Sequence, residues 1–199
     1  MILPNQLTVL RIILTPVFLF LFLQDSNLLK QISVIVFLIA AITDWYDGWL
    51  ARKFNYITSW GKFMDPLADK ILTSAAFIGF VLIGILPLWM VIVIIIRDFL
   101  ITGLRSFAEL KKQSFYTSRS AKIKTFAQMV FLYYLLIIYV LRTFPKFIFN
   151  YQNYYEIFSN SSFIYYTMLA ITLFTVFTGF TYIYKNRFMI RELYVSKNK

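Results

Sequence analysis

Two short stretches carry acidic residues at spacings that a helix turns into a site. Asp44, Asp47, Gly48 and Ala51 recur at i, i+3, i+4 and i+7, so they share one helical face. Gly61, Asp65 and Asp69 recur at i, i+4 and i+8, again on one face. A tight connection between the two helices makes them antiparallel neighbours and lets four carboxylates converge. An ionisable group inside a membrane span costs at least ~2.5 kcal/mol on insertion scales, and four acids side by side also repel. Divalent cations relieve both problems. Oxygen donors without His or Cys suit hard ions such as Mg²⁺ or Mn²⁺. Four carboxylates balance two such ions, and a two-metal site can clamp the attacking and leaving oxygens of a phosphoryl displacement.

The small residues fit the same picture. Gly48, Ala51 and Gly61 leave room for a ligand to approach the backbone, and Arg52 can reach a phosphate with a bidentate fork. The plainer reading is a polar helix end, with Gly48 loosening the turn and Arg52 serving as a topology charge. That reading accounts for Asp44 and Asp47 alone. It does not account for four acids at paired helical spacings with three small residues on the same faces.

The elements that must position these residues are membrane helices. Of the 199 residues, 60% are hydrophobic and 20% aromatic, more than a soluble domain of this size can hide. Apolar runs long enough to cross a hydrocarbon core of ~30 Å recur along the chain. The expected fold is an all-α, polytopic membrane bundle of six transmembrane helices, forming one domain over residues 1–199. The expected spans are Leu7–Leu23, Ile32–Leu50, Phe63–Ile83, Leu88–Phe107, Ile123–Leu141 and Phe163–Tyr184. Asp25–Asn27 and Pro87 read as breakers, and Thr143–Ser162 as a polar-aromatic connector. The first segment has no basic stretch before it and is interrupted by Arg11, so it is expected to be retained and not cleaved as a signal peptide.

The chain has no cysteine and no histidine, which removes thiol nucleophiles, disulfides, imidazole bases and Cys/His zinc sites. The net charge of +11 falls at segment ends, without an arginine-rich, aromatic-interleaved loop, so it implies anionic lipid head groups and topology control, not nucleic acid. Only Lys30, Arg142 and Lys146 fall in the first, third and fifth connections. Arg52, Lys53 and Lys62 flank the second, Lys111, Lys112, Arg119, Lys122 and Lys124 the fourth, and Lys185, Arg187, Arg191, Lys197 and Lys199 fall in the tail. The positive-inside rule then places both termini and the aspartates on the cytoplasmic side of a cell membrane.

The run D-x₂-D-G-x₂-A-R-x₈-G-x₃-D-x₃-D, from Asp44 to Asp69, resembles without gap or substitution the signature of the CDP-alcohol phosphotransferase family. The resemblance implies a six-helix membrane protein, commonly a homodimer, with a cytoplasm-facing pair of metal ions. It implies attack on the β-phosphorus of a CDP-linked alcohol with release of CMP. Carried over by position, Asp44, Asp47, Asp65 and Asp69 are metal ligands, and Asp69 is also the general base for the incoming hydroxyl. Gly48, Ala51, Arg52 and Gly61 line the CDP pocket, with Asn5 and Thr8 near the nucleotide. The plainer roles at this N-terminus are helix capping by Asn5 and snorkelling by Arg11.

The stretches PNQLTVLRIILTPVF, IRDFLITGLRSFAEL and SAKIKTFAQMV further resemble bacterial members of the family that make phosphatidylglycerophosphate. With the signature, the resemblance covers most of residues 4–130. The implied reaction joins CDP-diacylglycerol to sn-glycerol 3-phosphate. An anionic acceptor needs a cationic pocket. Arg105 and Lys124 are the first candidates for its phosphate, followed by Arg97, Arg119 and Lys122. Arg119, Lys122 and Lys124 read equally as positive-inside charge. Arg97 lies deep in Ile-rich sequence, where Asp98 could balance it, although adjacent helical residues point apart. Other acceptors within the family are phosphatidylglycerol (giving cardiolipin), inositol phosphate and serine, and the basic cluster disfavours serine. A cation transporter would also use intramembrane carboxylates, but it needs polar groups through the membrane depth, and here the acids gather at one end.

Overall fold

The computed structural model describes the backbone of residues 3–54, 59–110 and 119–195, and within these the side chains of residues 6–43, 46, 49, 53, 61, 64–108 and 119–190. Every regular element among them is an α-helix. In chain order these are α1 (Leu3–Phe22), α2 (Asn27–Phe54), α3 (Ser59–Leu82), α4 (Leu88–Leu110), α5 (Arg119–Leu141), α6 (Pro145–Asn150), α7 (Gln152–Phe158) and α8 (Ser161–Val195). The six long helices coincide with the six expected spans, but most run beyond them. The excess is polar sequence, such as Asn27–Gln31 and the end of α2, which adds turns without adding hydropathy.

The connector Thr143–Ser162 is not irregular. Pro145 stands in the first turn of α6, where its missing N–H costs nothing, and α7 follows directly. Neither short helix buries a residue.

α1 packs between α2 and α3, α3 packs on α4, α4 on α8, and α5 closes the bundle against α8, α2 and α3. The deepest packing is aromatic. Phe22 stacks on Tyr139 with centroids 4.2 Å apart, and Phe80 meets Phe22 edge-on at 5.2 Å. The Tyr139 hydroxyl donates to the Phe22 carbonyl at 2.5 Å, satisfying an otherwise orphan acceptor at the end of α1. α3 ends in a Schellman motif: Gly84 at φ 77° lets its own N–H reach the Val81 carbonyl while Ile85 reaches Phe80, both at 2.9 Å. Pro87 then separates α3 from α4.

The outer faces are apolar. Phe20, Phe126, Leu173 and Phe180 are all more than 60% exposed, an arrangement that water penalises and lipid accepts. Arg119–Leu141 and the segment Gln152–Ile190 are each long and apolar enough to cross a membrane. Arg11, by contrast, is completely buried, so it does not snorkel to a surface.

Candidate active site

The helical premise behind both acidic faces holds in the backbone. α2 runs unbroken from Asn27 to Phe54 and therefore through residues 44–51, and α3 from Ser59 to Leu82 and therefore through 61–69. The side chains of Asp44, Asp47, Gly48, Ala51, Arg52 and Asn5 lie outside the described residues. Those of Asp65, Asp69, Gly61 and Thr8 lie within them.

Asp65 and Asp69 stand one turn apart on α3. The fully buried Thr8 on α1 donates its hydroxyl to Asp65 Oδ1 at 2.6 Å, so a residue expected beside the nucleotide holds one of the acids. Pro66, immediately after Asp65, lies inside α3 and has no N–H to bond the carbonyl of residue 62. Gly61 is buried one turn before Asp65. Among the described side chains no group of three or more acids, His or Cys could hold a metal. The donor set Asp65 and Asp69 is oxygen-only, and Asp69 is one-third open (34%), a chemistry that fits a hard divalent cation.

Asp69 opens on a cavity of about 560 Å³ between α3, α4, α5 and α8. This lies within the ~300–1,000 Å³ of small-molecule sites. Its charged lining is Asp69, Lys70, Arg97, Arg105 and Lys122, with Thr102, Ser106 and Thr125 supplying hydroxyls. Three of the cations expected at an acceptor phosphate, Arg97, Arg105 and Lys122, thus meet beside the acid expected to activate the hydroxyl. Arg119, at the start of α5, is exposed and does not line the cavity.

Lys124 does not line it either. Its side chain is fully buried and its Nζ sits 2.5 Å from Asp98 Oδ1. Asp98 also receives Arg97 Nη1 at 3.1 Å, and Lys70 Nζ is 3.6 Å from its Oδ2. Helical neighbours do point apart at Cβ, but the arginine stem is long enough to fold back, so Asp98 balances Arg97 after all. Lys70 is also 3.7 Å from Asp69 Oδ2, midway between the two acids. The sequence offered Asp98 only as a counter-charge to Arg97, and it did not single out Lys70. Their polarity within apolar helices was the available signal, and nothing in a linear reading pairs residue 98 with residue 124.

A membrane-type helical bundle with an acidic helix face opening on a cationic cavity is the apparatus of a transferase acting on phosphorylated substrates. The profile of the CDP-alcohol phosphatidyltransferase family matches residues 1–177. Three bacterial proteins bearing the name CDP-diacylglycerol–glycerol-3-phosphate 3-phosphatidyltransferase are similar to the chain. That of Rickettsia typhi is 42% identical over 127 residues, covering 64% of this chain and 71% of its own. That of Bacillus subtilis is 42% identical over 140 residues, covering 64% and 72%. That of Salmonella typhimurium is 41% identical over 138 residues, covering 67% and 75%. The chain belongs to the CDP-alcohol phosphatidyltransferase family.

Proposed function

We propose that the chain transfers the phosphatidyl group of CDP-diacylglycerol to sn-glycerol 3-phosphate, giving phosphatidylglycerophosphate and CMP. The observation that carries the acceptor is the cavity itself: Asp69 faces the same space as Arg97, Arg105, Lys122 and Lys70. A second anionic substrate would otherwise be repelled by the site's own carboxylates. The names of the relatives support the same acceptor.

In this reading Arg97, Arg105 and Lys122 take the acceptor phosphate and leave its hydroxyl near Asp69. Arginine suits the task because its fork binds phosphate oxygens in pairs. Asp69 accepts the hydroxyl proton as attack on the β-phosphorus begins. Asn5, Gly48, Ala51, Arg52 and Gly61 border the cytidine diphosphate, and Thr8 orients Asp65. Asp44, Asp47, Asp65 and Asp69 would hold two Mg²⁺ or Mn²⁺ ions, which supply charge neutralisation to the diphosphate and the departing CMP. Lys124, buried on Asp98, is a counter-ion here and not an acceptor ligand. Holding the acceptor at reacting distance and stabilising developing charge account for most of the acceleration, because a carboxylate beside a metal is a weak base.

The chain works as one domain with six membrane spans, both termini and the site on the cytoplasmic face of the cell membrane, and as a homodimer. The test is CMP release by purified protein given CDP-diacylglycerol, a divalent metal and a panel of acceptors. Turnover is expected with glycerol 3-phosphate. Turnover with inositol phosphate or phosphatidylglycerol in its place would overturn the acceptor.

A further inference from the structure

Asp98 is buried, with 3% of its surface exposed, and it faces three cations. Three positive groups gathered without it would repel one another, so one carboxylate permits the whole cluster. Lys124 is sealed behind it, away from the cavity. Arg97 is different, because it lines the cavity on one side. On its other side it borders an apolar cleft of about 270 Å³ with Leu100, Val176 and Phe180. An arginine on such a divide needs something to fix its aim.

Three features do so. Asp98 takes Nη1 at 3.1 Å, and Thr178 Oγ1 on α8 takes Nη2 at 3.2 Å. Thr178 gives its own hydroxyl proton to the Thr175 carbonyl at 3.0 Å, so toward Arg97 its oxygen can only accept. The next residue, Gly179, leaves the space in which the arginine stem lies: a Cβ there would sit 3.1 Å from Arg97 Cγ and 3.7 Å from Nε. Carboxylate, hydroxyl and bare backbone thus hold the guanidinium on three sides.

We propose that Asp98 is a positioning residue for the acceptor, forming with Thr178 and Gly179 a cradle that fixes Arg97 at the cavity wall. The inference rests on the reading that Arg97 meets the acceptor phosphate. Neither Thr178 nor Gly179 falls within the residues matched by the family profile. A reacting group misplaced by ~1 Å can cost on the order of 100-fold, so a fixed arginine matters more than a merely present one.

The test is the separation of the two Michaelis constants in full-length protein, from CMP release with each substrate varied in turn. Asp98→Asn is expected to raise the acceptor KM about tenfold or more, through the lost ion pair, and Thr178→Val about threefold, through the lost acceptor for the guanidinium. Gly179→Ala should move the same constant in the same direction. The KM for CDP-diacylglycerol should stay within about twofold of wild type throughout, because none of the three changes removes a group the donor touches. The double variant Asp98→Asn/Lys124→Met removes the buried charges together and separates positioning from charge balance. If Asp98 only neutralises Lys124, the double variant restores the acceptor KM and the cradle is wrong. If it positions Arg97, the acceptor KM stays raised in a folded protein. Should Asp98→Asn fail to fold, Thr178→Val and Gly179→Ala decide alone, and unchanged acceptor KM in both overturns the proposal. Wild-type turnover with a different anionic acceptor would overturn the glycerol 3-phosphate reading only, and the same split read with that acceptor decides the cradle. Turnover confined to an uncharged acceptor would overturn both.

Discussion

The bond from Thr8 to Asp65 permits a sharp test of the metal reading. Thr8→Val keeps the shape of the side chain and deletes one hydroxyl. That hydroxyl donates to Asp65 Oδ1 at 2.6 Å, a short distance for a donor to a charged acceptor, and Thr8 is 0% exposed. The valine methyl would fill the space that a replacing water needs on the Thr8 side of the bond. A hydrogen bond to a charged group contributes ~1.5–3 kcal/mol. If Asp65 is a metal ligand, losing the group that orients it should weaken metal binding by ~10- to 100-fold, the range seen when such outer partners are removed. The assay is CMP release against Mg²⁺ or Mn²⁺ concentration at saturating substrates. Half-maximal activity should need at least about ten times more metal in the variant, with most of the rate recovered at saturation. A raised KM for CDP-diacylglycerol with unchanged metal dependence would refute the reasoning and return Thr8 to the nucleotide side of the site. An unchanged profile in both respects would show that the bond matters to neither.

Two further outcomes follow from the packing and the charge pattern. At Gly79 an added Cβ would meet Phe22 at 2.9 Å and Leu19 at 3.3 Å, and the Phe22 ring is pinned by Tyr139 and Phe80. Overpacking of ~1–3 kcal/mol should outweigh the ~1 kcal/mol that alanine gains in a helix, so Gly79→Ala should lower the unfolding temperature in detergent. Gly103→Ala, with nothing within 4 Å, should raise it, and equal shifts in both would contradict the packing. The absence of native cysteine makes single-cysteine labelling clean. Asp25→Cys should react with an impermeant maleimide in intact cells and Lys185→Cys only after permeabilisation, and the reverse pattern would invert the topology.

How far the sequence carried the fold differs between its levels. The six long helices were legible because hydropathy and breakers such as Pro87 mark them directly. Their true ends were not, since α2 continues through polar residues to Phe54 on helical propensity that no hydropathy window records. α6 and α7 were missed because an aromatic, exposed segment has no buried face to produce a period, although Pro145 was a start signal. Of the residues expected at the site from type and spacing, Asp69, Arg97, Arg105 and Lys122 line one cavity, and Asp65 stands one turn from Asp69. Lys124 was expected on the acceptor and lies on Asp98, 26 residues away, a pairing that only the tertiary fold creates. Thr178 and Gly179, far along α8, carried no chemical signal of their own.

The two acids at the cavity end of the bundle are sorted by burial and partners, and the sorting bears on how substrate charge is received. Asp98 is closed off and holds Lys124 and Arg97 within hydrogen-bonding distance. Asp69 is one-third open and has Lys70 only at 3.7 Å. Lys70 therefore bridges the two carboxylates, at 3.7 and 3.6 Å, with its own side chain 14% exposed and lining the cavity. Both distances exceed hydrogen-bonding range, so an incoming phosphate would compete with two long ion pairs, and Asp98 would keep Lys124 and Arg97. The same carboxylate that would aim Arg97 would thereby leave Lys70 to the substrate, and a cavity rimmed by cations could accept an anion without unpairing a buried acid.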